Sequence, residues 1–311
     1  MMGKIGGNIQ KILVTGGAGF IGSAVIKALQ TFPVELLVID DLSFGNRAFV
    51  NLPDSHFRVL NILDKAGVDA VFAEFKPDWV IHLAAVHFIP WCNAHPYEAA
   101  DINIRGTMHV LDAAKGVGVK GVLFASTAAV YPIADEAVGE THPTGPLDIY
   151  GLTKFTGERL CHEFHLESGI ATVVCRFFNA FGPNETNPHL IPEIAAQINA
   201  GARVLMLGNQ APKRDFIHTS DMARAVIALL ETFEAGFDTF NLGRGIEYSV
   251  LEIAAAFGNA LGEAVRVEID PAKVRKTDRL HLLADISKLK AFTGWEPLVG
   301  IDEGIATLIE R

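Results

Sequence analysis

Tyr150 and Lys154 stand four residues apart, a spacing that puts both side chains on one face of a helix. A phenol titrates near 10, and an ammonium beside it favours the phenolate. Such a pair could remove a hydroxyl proton while a nicotinamide accepts the hydride. On spacing alone, a surface contact is the commoner outcome. Position argues for chemistry: the pair follows an apolar run that ends in Ala125-Ser126-Thr127. Open α/β sheets present ligand-contacting groups just past such strand ends, and Thr127 there could bond a substrate oxygen and relay its proton. A second pattern could hold the hydride acceptor. Gly16, Gly19 and Gly22 follow the apolar run Ile12–Val14 in the spacing G-x-x-G-x-x-G, and helical periodicity starts at Phe20. These glycines allow, in turn, a tight turn, backbone approach to a pyrophosphate and close packing of helix on strand. The helix N-terminus then faces the phosphates. A further apolar run, Glu35–Ile39, ends in Asp40, where a carboxylate can accept both ribose hydroxyls and repel a 2′-phosphate. The reading is an NAD site, with a ligand-free glycine turn as the alternative.

Strand-like and helix-like segments that would position these residues alternate over the first 180 residues or so. Strands are predicted at Lys11–Thr15, Glu35–Asp40, Phe57–Leu60, Trp79–Leu83, Gly121–Ala125 and Ala171–Phe177. Between them lie helical patterns at Phe20–Gln30, Gly67–Phe75, Tyr97–Lys115 and Tyr150–Glu167. Continuous apolar strands with intervening helices predict an α/β protein with a doubly wound parallel Rossmann sheet. After Asn179 the pattern turns irregular, with a helix at Ile191–Ala200 and a strand near Val204–Leu207. Short strands at Phe216–His218 and Phe240–Leu242 bracket a helix, Ser220–Phe233, that is expected to return to the first domain. The predicted division is an NAD-binding domain over residues 1–178, rejoined by 216–244. A smaller, interleaved α/β substrate domain takes 179–215 and 245–311.

The motifs now combine. Thr15-Gly-Gly-Ala-Gly-Phe-Ile-Gly22, His82-Leu83-Ala84-Ala85, Ser126-Thr127 and Tyr150-x-x-x-Lys154 resemble an extended short-chain dehydrogenase/reductase of the NAD-dependent epimerase/dehydratase family. Arg214-Asp215-Phe216-Ile217-His218 and Gly294-Trp295-Glu296-Pro297 resemble its C-terminal motifs, so the likeness spans nearly the whole chain. Within it, the chain is similar to nucleotide-sugar epimerases of the UDP-galactose 4-epimerase type. The resemblance implies a Tyr150 base, a Lys154 that also holds the nicotinamide ribose and an assisting Thr127. It implies cofactor contacts from Gly16, Gly19, Phe20, Ile21 and Gly22, from Asp40, Asn61 and Ile62, and from Leu83, Ala84, Ala85 and Asn103, besides Tyr150 and Lys154. Asn61 stands where relatives often carry an aspartate for the adenine amino group.

For the substrate the resemblance implies Asn179, Arg214, Arg275 and Asp278: an asparagine on the sugar diphosphate, two arginines clamping it and an aspartate on the nucleoside ribose. Lys276-Thr277 departs from the Pro-Gly usual between the second arginine and the aspartate. Each arginine could otherwise form a surface ion pair. His87, just past the fourth strand, is a candidate sugar contact or a plain loop histidine. His82 reads as structural, and His162 and His165 lack a carboxylate-rich partner set, so no metal site is expected. Ala128-Ala129 follow Thr127, where dehydratases carry Asp-Glu and decarboxylases a glutamate, and the segment lacks the cysteine of the 3,5-epimerases. A 4-epimerase is therefore expected, working through a transient 4-keto sugar. A dehydratase or reductase of the same family, or a catalytically silent NAD(H) sensor, is the alternative.

Composition sets outer bounds. Half of the 311 residues are hydrophobic, enough for a large core. The net charge of −10, from 26 basic and 36 acidic residues, gives nucleic-acid binding no electrostatic support. Cys92, Cys161 and Cys175 form no C-x-x-C pair, which points to a reducing compartment. With no signal-like or spanning apolar run, a soluble, cytoplasmic protein without membrane partner is expected. The resemblance also allows a homodimer.

Overall fold

The computed structural model describes residues 3–274 and 279–309. Arg275 and Asp278, two of the expected substrate residues, lie outside the described residues.

Twelve strands among the described residues form three sheets. β1 (Lys11–Thr15), β2 (Glu35–Asp40), β3 (Phe57–Val59), β4 (Trp79–His82), β5 (Gly121–Thr127) and β6 (Ala171–Phe177) are joined by β10 (Phe237–Leu242) in one seven-stranded sheet. Its order is β10-β6-β5-β4-β1-β2-β3, and every pairing is parallel. Both faces are covered, and the sequence shows why: the central strands β1, β2, β4 and β5 are largely continuous apolar runs. Ile12 and Val14 of β1 join one core with Trp79 and Ile81 of β4, while Leu13 and Val80 point into the opposite core. The covering helices are α1 (Phe20–Leu29), α2 (Lys65–Phe75), α3 (Ile89–Ala94), α4 (Pro96–Ala100), α5 (Thr107–Val117) and α6 (Ile149–Ser168). The strand order reverses between β1 and β4, the switch point at which open α/β sheets bind ligands.

The Tyr97–Lys115 pattern is broken where one helix was expected. A π-helical turn, Asp101–Gly106, separates α4 from α5. This turn brings Asn103 fully inside.

β7 (Asn179–Phe181) and β9 (Lys213–His218) pair in parallel, and β11 (Glu247–Ser249) adds antiparallel to β9. The third sheet pairs β8 (Val204–Leu207) with β12 (Arg266–Ile269). Helices α7 (Leu190–Asn199), α8 (Thr219–Thr232), α9 (Val250–Leu261), α10 (Ser287–Thr293) and α11 (Ile301–Ala306) complete the chain. Ser249 and Glu252 close a capping box on α9, which fixes that helix start. Met222, Ala223 and Val226 of α8 share a core with Val25, Ile26 and Leu29 of α1. The return to the large sheet thus runs through α8 and β10, whereas residues 216–218 lie in the small sheet with β7. Buried Asp215 on β9 accepts hydrogen bonds from Arg244 N (2.7 Å), Gly245 N (2.8 Å) and Ala284 N (3.2 Å), holding three distant segments together.

Candidate active site

A cleft of about 1310 Å³ runs along the carboxyl ends of β1, β4, β5 and β6 and continues between β7, β9 and α7. Single small-molecule pockets are usually about 300–1,000 Å³, so this one has room for a dinucleotide and a second ligand. Seventeen of the eighteen expected site residues among the described residues line it.

At the switch-point end the chain leaves β1 through Gly16, whose φ of +71° is left-handed. A side chain at Gly22 would place its Cβ 2.1 Å from Gly16 O, so helix and turn approach as only glycine permits. Asp40 ends β2 and is buried, with Oδ2 accepting from Ala18 N (2.9 Å) and Oδ1 from Leu42 N (2.8 Å). It braces the glycine turn while still bordering the cleft. Burial raises its pKa above the usual carboxylate value, against the lowering by those two amides. Asn61 Oδ1 accepts from Leu63 N (2.8 Å) and its amide donates to Asp41 Oδ2 (2.8 Å), so it reaches the cleft already oriented. The backbone cradle, the left-handed glycine and the buried carboxylate together fit a dinucleotide.

Asn103 does not border the cleft. Its Oδ1 accepts from Val86 N (2.8 Å) and its Nδ2 donates to Val86 O and to Thr153 Oγ1 (both 2.9 Å). It fixes the loop that follows β4 to α6. His82 is buried between Thr15 Oγ1 (2.6 Å) and Thr107 Oγ1 (2.9 Å), and burial lowers its pKa to about 3.

The reacting end is built by α6 against β5. Asp148 caps α6 by accepting from Gly151 N (2.7 Å), which starts the helix one residue before Tyr150. Farther along, Glu158 receives Ser126 Oγ of β5 (2.5 Å) and a two-pronged bond from Arg176 of β6 (2.9 and 2.7 Å). That buried network sets the distance between helix and sheet. Thr127 Oγ1 accepts from Ala129 N (3.1 Å), and the Thr127 hydroxyl stands close enough to the Tyr150 phenol to lower its pKa. Lys154 is 2 % exposed, with its Nζ 4.2 Å from the Phe124 ring centroid.

The expected electrostatics need correction here. Burial raises the Tyr150 pKa well above that of a free phenol, and the bond from Thr127 offsets only part of this. The Lys154 pKa falls to about 8 through burial, so this lysine stays mostly cationic at neutral pH.

At the far end the cleft is lined by Asn179 of β7 and Arg214 of β9. Arg214 NH1 donates to the backbone oxygens of Lys213 and Arg279 (both 2.8 Å). Arg279, which borders the same space and donates to Pro132 O (3.2 Å), was missed in the sequence. His87 borders the cleft beside Glu185 and His189, and enclosure by protein holds its pKa near 4. Glu185 and His189 were also missed: they sit in the irregular stretch after Asn179, which carries no periodic pattern.

The profile of the NAD dependent epimerase/dehydratase family matches residues 12–243. The chain is 33% identical to the UDP-glucose 4-epimerase of Bacillus subtilis, over 94% of each chain. Among solved structures, it resembles a UDP-glucose 4-epimerase of Thermotoga maritima with UDP-glucose (TM-score 0.89, 28% identity, 96% of this chain and 97% of that one). It also resembles a Thermus thermophilus UDP-glucose 4-epimerase in complex with NAD (TM-score 0.87, 31% identity, the same coverage). The chain belongs to the NAD-dependent epimerase/dehydratase family.

Proposed function

We propose that this protein is an NAD-dependent nucleotide-sugar 4-epimerase acting on a UDP-hexose. The observation that carries the reading is one continuous cleft in which the Thr127–Tyr150 pair lies between a dinucleotide cradle and a second compartment bounded by Asn179 and Arg214. When bound, NAD supplies a reversible acceptor for the hydride at C4. With the positive charges of Lys154 and of the nicotinamide offsetting the burial that raises the phenol's pKa, Tyr150 takes the C4 hydroxyl proton as the 4-keto sugar forms, and it returns that proton when the sugar is reduced on its other face. Thr127 steadies the phenol and bonds the C4 oxygen. Lys154 is a buried cation four residues along the same helix, and it holds the nicotinamide ribose. Asp40 selects NAD over NADP by repelling a 2′-phosphate. Arg214, joined by Arg279, meets the diphosphate, a role that guanidinium geometry suits.

Two features speak for epimerisation over elimination. Ala128 and Ala129 border the cleft where a dehydratase needs carboxyls. His87, the other candidate acid, is held by burial near a pKa of 4, which disfavours the imidazolium near pH 7. No helix among the described residues is long and apolar enough to cross a membrane. Cys92, Cys161 and Cys175 are buried free thiols, which supports placement in the reducing cytoplasm. Exposed Met108 on α5 with Leu152 and Leu166 on α6 offer the apolar surface for a homodimer.

The test is product analysis by NMR after incubation with UDP-, TDP- and GDP-hexoses. UDP-glucose and UDP-galactose should interconvert with no net NADH, and Tyr150→Phe should cut turnover about 10²–10⁴-fold while NAD stays bound. Absence of any 4-epimer across the panel, or near-normal turnover by the variant, would overturn the proposal.

A further inference from the structure

Three donor side chains converge in the cleft wall beyond the residues used above. His87 comes from the loop after β4, and Glu185 and His189 come from the loop between β7 and α7. One ligating atom of each lies within 4.8 Å of the other two. The two imidazole planes are nearly parallel, 7° apart, with centroids 6.0 Å from each other. Phe88 meets the His189 ring edge-on at 5.6 Å, limiting its rotation. Between the donors sits Asn187, which is buried. Its backbone N–H donates to Glu185 Oε1 (2.9 Å), and its amide donates to His87 Nε2 (3.1 Å).

We propose that His87, Glu185 and His189 form a divalent transition-metal site, of the zinc-binding kind, in the wall of the cleft. Two imidazoles and one carboxylate are a donor set of catalytic zinc, whereas calcium and magnesium favour all-oxygen shells. Tetrahedral zinc with bonds of about 2.0–2.2 Å needs its ligand atoms roughly 3.4 Å apart. The three donors must therefore close by up to about 1.4 Å, and two of them share one loop. Asn187, whose amide lies 3.1 Å from His87 Nε2 and whose backbone N–H holds Glu185 Oε1, is placed to orient two of the donors. Outer partners of this kind hold most metal-bound histidines in place.

The three protein ligands leave a fourth position, and all three side chains border the cleft. An oxygen of the bound ligand, from hydroxyl, carboxylate or phosphate, is the chemistry that position takes. That last step alone rests on the nucleotide-sugar reading; metal binding does not.

The experiment titrates chelator-stripped, NAD-containing protein with Zn²⁺ by calorimetry, and with Co²⁺ by visible absorption. Wild type should bind one equivalent of Zn²⁺ at micromolar Kd or tighter, and Co²⁺ should give d–d bands. His189→Ala and Glu185→Gln should each weaken Zn²⁺ binding about tenfold or more, and His87→Ala should abolish the cobalt bands. The melting temperature of each metal-free variant reports folding, and Glu185→Gln, which preserves shape, decides if a histidine variant fails to fold. No saturable binding by wild type up to about 100 μM Zn²⁺, or unchanged affinity in Glu185→Gln, overturns the site. Turnover is not part of the readout, so failure here is distinct from failure of the epimerase reading.

Discussion

Lys154 illustrates how a site residue can work against the fold that holds it. Its ammonium is buried over the Phe124 ring and its pKa is lowered from 10.5 to about 8. Below pH 8 both folded and unfolded chains carry this proton, and the fold bears the full cost of burying the charge. Between about pH 8 and 10.5 the unfolded chain binds a proton that the folded one lacks, so this contribution to stability rises with pH. Lys154→Met should therefore raise stability at pH 7 by about 1–3 kcal/mol. The gain should shrink by pH 10, and turnover should be lost. Urea denaturation at the two pH values measures this; a variant less stable than wild type at pH 7 would contradict it. The sequence was legible to the extent that four-residue spacing put Tyr150 and Lys154 on one helix face. It did not show that the lysine head would settle over Phe124, because spacing fixes direction and says nothing of the neighbours a side chain meets.

The elements most legible in the sequence were those with long, strict patterns. The bounds of β1, β2 and β6 agree with the reading residue for residue, because both faces of each strand are buried and the apolar run has sharp ends. The helix expected over Tyr97–Lys115 is interrupted by a π turn at Asp101–Gly106, a one-residue insertion that apolar spacing over so short a stretch does not reveal. Asn103 on that turn bonds Val86 and Thr153. The junction of α6 with the sheet yields the prediction at this scale. Glu158 is 5 % exposed and satisfies both Ser126 and the buried Arg176. Glu158→Ala strands that guanidinium, and removing one partner of a buried pair typically costs about 3–5 kcal/mol. A clear drop in denaturation midpoint should follow. A loss below about 1 kcal/mol would show that the network does not set the spacing between helix and sheet.

Across the whole molecule, the cleft's near wall was readable and its far wall much less so. The near wall is drawn from the ends of long strands carrying compact motifs. The far wall is assembled from strands of three to six residues and from loops. There the partners lie about a hundred positions apart, as His87 and His189 do, and no local pattern joins them. The interleaved path has a further consequence, for synthesis. β10 pairs with β6 in the large sheet, yet it follows β6 by some sixty residues. While a ribosome is still making residues 178–236, β6 is an unpaired edge, and its buried run Ala171–Phe177 offers free N–H and C=O groups to any neighbouring chain. The first six strands are thus a nascent intermediate whose hazard ends only when Phe237–Leu242 emerges, so a chain stopped at residue 236 should aggregate or be cleaved within β6 under limited proteolysis. A truncated chain that stays monomeric and as protease-resistant as the full protein would mean that the edge is protected before its partner is made.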